Sequence, residues 1–285
     1  MAAGSRRAAP TTHRVDSGSA TLRRDPDGGD AWTLDVEGTL QSHVDLTDPT
    51  RLSFDYTRRI GHVIDLVAPP GAAVDAVHLG GGGLTLPRYL AATRPGSRQR
   101  VFEIDAALTE LVRRELPLVS SWRIRVGAVD ARHGLAALKP ASADLVVADV
   151  FAGARTPAHL ASVELVGEVA RVLRPGGTYV ANLVDRPPLG FARGQVATVQ
   201  AVLRRVAVLI DAGILRGRRH GNVIVVASGA RLPIGGLGHR CAADPVPSRV
   251  VAGEALTRFT GSAPVVTDRT AAASPALVGI ASPDV

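Results

Sequence analysis

Four consecutive glycines, Gly80 to Gly83, close one short apolar run, and three acids, Glu103, Asp130 and Asp149, close the next three. Glycines at the end of a strand let a backbone approach a ligand closely. An acid about twenty residues beyond them suits a bidentate grip on ribose hydroxyls. An acid ending the following run can accept from an adenine amino group. Taken singly, each has a plainer reading: a loop, a solvated strand end, or a helix N-cap. In order, at successive strand ends, they point to a nucleoside site. A nicotinamide site fits less well, because the G-x-G-x-x-G pattern would need glycine where Thr85 stands, and flavin binding has no further support.

The elements that would carry these residues follow from periodicity. Residues 31–46 alternate apolar and polar positions around a Glu-Gly turn, a hairpin signal. Leu52, Tyr56, Ile60 and Ile64 lie at helical spacing within 51–68. From residue 72 onward, apolar strands alternate with amphipathic helices, ending in two strand runs, VAVLIDAG and NVIVVAS. The pattern predicts an α/β fold, a Rossmann-like doubly wound, mostly parallel seven-stranded sheet, with ligands at the carboxyl ends of its strands. The expected divisions are an unstructured leader over 1–30, a small hairpin and helix region over 31–70, a nucleoside-binding domain over 71–228, and a C-terminal extension over 229–285 with one helix near 252–260. Cys241 falls in what reads as a poorly structured stretch and is assigned no role.

Composition narrows the classes. The chain has 285 residues, 46% hydrophobic and 21% charged, enough for one α/β domain with a sizeable core. No apolar run reaches the ~20 residues a bilayer span needs, and the N-terminus has arginines without an apolar segment after them. A cytoplasmic protein without membrane attachment is expected. The lone cysteine excludes an internal disulfide and a multi-cysteine metal site. The net charge of +7 is almost all arginine, Lys139 being the one lysine. The arginines are scattered along the chain, aromatics are 4%, and no nucleic-acid motif appears, which weighs against a nucleic-acid partner.

The same residues carry a family resemblance. LDVEGTLQS resembles the L-D-G-x-x-Q segment of spermidine synthases (polyamine aminopropyltransferases), enzymes built on the class I S-adenosylmethionine-dependent methyltransferase fold. YTRRIGHV is similar to their Y-H-E-M-L-x-H-V, LGGGG to G-G-G-D-G-G, FEID to V-E-I-D, and DLVVADVF leads into the place of D-S-S-D-P. Asn182, after LRPGG, also fits. The resemblance implies a nucleoside site of Gln41, Gly80, Gly81, Gly82, Glu103, Asp105, Asp130 and Ala131, with Asp149 and Tyr56 as catalytic, acceptor-side groups. It implies decarboxylated S-adenosylmethionine or S-adenosylmethionine as co-substrate, no metal, and a small-molecule amine as acceptor, and it leaves a homodimer open.

Three family acids are replaced here. Gly83 stands for the Asp of G-G-G-D-G-G, Ala152 for the second Asp of D-S-S-D-P, and Arg58 for the Glu of Y-H-E. Carboxylates offset the cost of desolvating cationic amines, so their loss predicts a remodelled acceptor site. Gly83 also removes a repulsion against the carboxylate of intact S-adenosylmethionine. Aminopropyl transfer to a less charged or different amine leads; methyl transfer from S-adenosylmethionine and a non-catalytic nucleoside-binding relative are the alternatives. Tyr56 reads equally as a core aromatic, His62 as a packed histidine and His133 as a surface residue at a helix start.

Overall fold

A computed structural model describes residues 9–26 and 29–276. Four strands, β1 (Thr11–Val15), β2 (Gly18–Arg24), β3 (Ala31–Val36) and β4 (Thr39–Asp45), form an antiparallel sheet in chain order. Alternation along β2 and β3 buries Ala20, Leu22, Leu34 and Val36, which pack with Leu84, Val101, Leu108 and Leu111 of the main domain. The β3–β4 hairpin turns at Glu37 (φ 51°) and Gly38 (φ 73°), the two positive dihedrals a right-twisted two-residue turn requires.

Part of the expected leader is therefore structured. Residues 11–24 contribute two strands, because Val15, Ala20 and Leu22 complete the apolar face of a sheet whose other half is the predicted hairpin. The turn between them is tethered from afar: the amides of Asp16 and Ser17 donate to Asp105, at 3.1 and 2.9 Å. Residues 1–8, 27 and 28 of the expected leader and the last residues of the extension, 277–285, lie outside the described residues.

After α1 (Asp55–Leu66) the alternating part begins: β5 (Asp75–Leu79), α2 (Thr85–Thr93), β6 (Arg98–Glu103), α3 (Ala106–Glu115), β7 (Arg123–Ala128), α4 (Ala131–Ala136), β8 (Ala143–Ala148), a 3-10 turn at Ala158–Leu160, α5 (Val163–Val172), β9 (Leu173–Asp185) and α6 (Gly190–Gln200). Then come β10 (Arg205–Asp211), α7 (Ala212–Leu215), β11 (Gly221–Ser228), α8 (Ile234–Ala243), β12 (Ser248–Ala252) and α9 (Glu254–Thr260). The sheet order is β7-β6-β5-β8-β9-β11-β10-β12. Strands β5 to β9 pair in parallel, whereas β11 lies antiparallel between β9 and β10.

The predicted doubly wound sheet is present with eight strands rather than seven. The eighth, β12, comes from the expected extension and pairs antiparallel with β10, whose outer edge it covers. Helix α8 from the same stretch buries Leu237 and Cys241 on the face that carries α1 and α2. Cys241 is thus a core residue of a helix, not part of an unstructured run, and burial raises its thiol pKa. Helix α6 stops at Gln200, and β10 takes over at Arg205. Among the described residues no helix is long and apolar enough to cross a membrane.

The end of α1 shows how arginine serves this core. The Arg94 side chain is buried at 2% exposure. Its Nε, Nη1 and Nη2 donate to the carbonyls of Ile64, Asp65, Ala68, Pro69 and Ala72 at 2.8–2.9 Å. Five donors meet five acceptors that the helix terminus and following turn would leave unpaired. Arg94→Met keeps the stem and removes the fork, so we expect a loss of about 3–5 kcal/mol in unfolding free energy, read from urea denaturation. An unchanged midpoint would show that water replaces the guanidinium.

Candidate active site

A cavity of about 630 Å³ opens where β5 passes to its neighbours β6 and β8, the point at which the strand order reverses. Its volume lies within the range of small-molecule sites. Gln41 and Ser42 of β4 and Tyr56 of α1 form one wall, and the glycine turn forms its base. Asp149 and Asn182 come from the ends of β8 and β9, and Arg219 to Asn222 precede and open β11.

The glycines have distinct reasons. Gly80 has φ +88°, and a Cβ there would stand 2.3 Å from the Asp149 carbonyl oxygen, so only glycine allows β5 and β8 to close at this point. Gly82, φ +47°, would press a Cβ onto Ser42 Oγ at 2.9 Å. The Gly81 and Gly82 amides donate to Glu103 Oε2 at 2.8 and 3.1 Å. Glu103 Oε1 accepts from the Asp105 amide at 3.0 Å. Glu103, the acid expected to grip ribose, thus holds the glycine turn and is not among the residues that line the cavity.

Gly83 faces away from the cavity. A Cβ at this position would lie 2.8 Å from Ser42 Cβ and 3.1 Å from Val44 Cγ2, and the Gly83 amide donates to Ser42 Oγ at 3.0 Å. The two other positions where the sequence lacks an acid also point elsewhere. Ala152 is exposed, paired through its backbone with Arg155, and Arg58 is engaged by Asp55 Oδ1 at 2.7 Å and the Ser53 carbonyl at 2.6 Å. None of the three lines the cavity.

Two further expected site acids are engaged outside the lining. Asp105 N-caps α3 through the Leu108 amide and anchors the β1–β2 turn; burial opposes its charge, but the bonds from Ser17, Leu108 and Asp16 hold its pKa below the ordinary value. Asp130 N-caps α4 through the amides of Arg132 and His133, and its other oxygen takes His159 Nε2 at 2.8 Å. Ala131, in the first turn of α4, is buried. Both acids follow strand ends and open helices, where an N-terminal carboxylate is favoured.

The remaining expected residues converge on the cavity. Gln41 lies beside Gly82, its amide free of hydrogen bonds among the described residues. Asp149 Oδ1 accepts from Asn182 Nδ2 at 2.9 Å, and Asn182 Oδ1 accepts from Asn222 Nδ2 at 2.9 Å. This amide chain fixes one carboxylate oxygen and leaves the other toward the cavity. Desolvation raises the Asp149 pKa to about 6, with the Asn182 hydrogen bond opposing it. The Tyr56 phenol is pushed well above its ordinary value by burial and by the Asp149 charge, so it stays a donor. Asn222 was not singled out in the sequence; its signal is only a polar residue at the start of an apolar strand, which becomes meaningful once β11 is known to lie beside β9. His62, read as packed, binds Asp244 at 2.9 Å, and His133 is a surface residue.

A second constellation has no cavity. Ser53 Oγ meets His43 Nδ1 at 2.9 Å, and His43 Nε2 meets Asp25 Oδ2 at 2.9 Å. His43 is buried and none of the three lines the site, so this trio ties β4 to the approach to α1 rather than presenting a nucleophile. Among the described residues no cluster of His, Cys, Asp and Glu could hold a metal ion.

Sheet order and cavity together define an α/β protein of the class I methyltransferase type. No protein-family model matches the chain. A probable spermidine synthase from Corynebacterium glutamicum superposes with a TM-score of 0.85 and 31% identity over 91% of this chain and 96% of that one. The chain belongs to the spermidine synthase family. A polyamine aminopropyltransferase of Vibrio vulnificus (strain CMCP6) is 31% identical over 134 residues, 46% of this chain and 44% of that protein, so the match spans less than half of this curated relative. A spermidine synthase solved in complex with the transition state analogue AdoDATO shares the fold, with a TM-score of 0.57 and 17% identity over 91% of this chain and 81% of that one.

The packing at Gly83 predicts the outcome of restoring the family acid. Gly83→Asp should destabilise the protein by about 1–3 kcal/mol, the range for overpacking, and Ser42→Gly in the same chain should recover part of it. Thermal unfolding of the single and double variants checks this; a neutral Gly83→Asp would place the side chain in the cavity instead.

Proposed function

We propose that the protein is an aminopropyltransferase that moves the aminopropyl group of decarboxylated S-adenosylmethionine onto a small-molecule amine carrying fewer cationic ends than a polyamine. Asp149 carries this reading: a carboxylate at the end of β8, oriented by Asn182 and Asn222, with Tyr56 close enough to feel its charge. Gln41 and the glycine turn supply the nucleoside side of the same cavity.

In the transfer, the lone pair of a neutral amine attacks the carbon beside the sulfonium. The carbon–sulfur bond breaks with its electrons going to sulfur, and methylthioadenosine leaves. The new ammonium then loses a proton. Asp149 is suited to accept the attacking N–H through its free oxygen, which positions the lone pair and favours loss of the proton. A pKa of about 6 leaves it ionised at neutral pH while keeping it basic enough to receive a proton. Tyr56 can donate to the same region. The acceptor's far end meets Phe151, Gly153 and Ala154 rather than further acids, and Arg219 and His220 border the cavity. This lining supports an acceptor without a second ammonium group.

A second reading, methyl transfer from intact S-adenosylmethionine, is favoured by one observation: no carboxylate from the glycine turn lines the cavity to hold the amine end of the decarboxylated donor. Side-by-side calorimetry with the two donors separates the readings. Tighter binding of the decarboxylated donor is expected; equal or tighter binding of the intact one, with methyl transfer to an acceptor, would replace the first reading by the second.

The raised pKa of Asp149 sets a pH profile. Its carboxylate is lost as pH falls through about 6, so methylthioadenosine release should drop below that pH. Asp149→Asn should lower kcat/KM by at least about 100-fold and abolish this acid limb. A variant with full turnover and the same profile would remove Asp149 from the chemistry.

A further inference from the structure

The face of a doubly wound sheet is ordinarily covered by helices. One corner here is not. Along β6 the residues on the α4 side are Arg98, Arg100 and Phe102, and along β7 they are Arg123, Arg125 and Gly127. Helix α4 has only six residues and covers Phe102, against which Gly134 packs. The four arginines beyond it are exposed.

The parallel register sets Arg98 opposite Arg123 and Arg100 opposite Arg125. Like charges side by side on neighbouring strands, about 4.8 Å apart, repel. Arg174 and Lys139 join them around a cleft of about 890 Å³ rimmed by Trp122. Two acids answer part of the charge: Asp75 binds Arg98 and Arg174 at 2.7 Å, and Asp144 binds Arg174 at 2.8 Å. Arg100, Arg123, Arg125 and Lys139 have no ion-pair partner among the described residues. The cleft lies at the amino ends of the strands, across the sheet from the active site at their carboxyl ends.

We propose that this cleft binds the phosphodiester backbone of a single-stranded nucleic acid. Guanidinium forks match phosphate oxygens bidentately, and arginines two residues apart on a strand are spaced by about 6.6 Å, a reach suited to successive phosphates of an extended strand. Trp122 offers an aromatic plane of the kind on which bases stack. A cleft of about 890 Å³ is too small to admit the girth of a duplex. The arginines are scattered in the sequence; the parallel register gathers them.

Anisotropy titration of a fluorescein-labelled dT12 with the full chain tests the inference. Four free cations predict a log–log salt slope of about −3 for a single strand. Arg100→Gln/Arg123→Gln/Arg125→Gln should weaken binding at 50 mM salt by at least 10-fold and bring the slope near −1, while donor binding measured by calorimetry stays unchanged. Trp122→Ala should weaken binding several-fold. No binding at 50 mM salt, or a triple variant that binds like the parent, overturns the proposal. Displacement of dT12 by poly-glutamate of equal charge concentration overturns it in favour of an acidic protein partner. If the triple variant fails to fold, Arg123→Gln and Arg125→Gln singly should each weaken binding and flatten the slope by about 0.7; two unaffected singles overturn the proposal equally.

Discussion

The tightest approach of a glycine to backbone among the described residues is that of Gly80 to the Asp149 carbonyl. A single added carbon would stand 2.3 Å from that oxygen. The Asp149 amide in turn donates to the Leu79 carbonyl at 2.9 Å. Beyond this point the β5–β8 pairing ends, and the crevice past it becomes the cavity. The glycine turn, the start of α2 and the direction of the Asp149 side chain all inherit their positions from this contact. Glu103 completes it from behind by accepting the Gly81 and Gly82 amides.

Burial then decides what the site acid can do. Asp149 lacks an ion-pair partner among the described residues; two amides orient it instead. Neutral donors stabilise its charge less than a cation would, so desolvation dominates and its pKa rises. The other strand-end acids show the contrasting case. Asp105 and Asp130 are saturated by helix amides, by Ser17 or by His159, and both are held below their ordinary value. Similar acids at successive strand ends therefore divide into anions bound by helix amides and one, Asp149, that lines the cavity.

The segments at the two ends of the described chain are tied to elements that flank the site. The β1–β2 turn is bound by Asp105, two residues beyond Glu103. On the other side Asp268 binds Arg132 and Ser162, and Ser274 pairs with Thr156, just beyond the loop that carries Phe151. Both arrangements use polar tethers at long separation, where apolar periodicity carries no trace.

The alternation of apolar runs and amphipathic stretches determined the doubly wound sheet, the hairpin and most helix positions, because burial on both faces leaves its period in the sequence. Gly80, Gly81, Gly82 and Asp149 could be grouped from the sequence because strand ends lie on one edge of a parallel sheet, whereas Gln41, in an antiparallel strand, and Tyr56, in a helix, were reached only through the family resemblance. Tertiary structure alone decided which acids are free, since an N-cap and a ligand-binding carboxylate have the same residue type at the same strand end. It also decided that positions 58, 83 and 152 turn away from the cavity, that β1, β2, α8 and β12 form, and that Asn222 reaches Asn182. Each depends on which backbone lies alongside, a relation set by sheet register and close packing rather than by spacing along the chain.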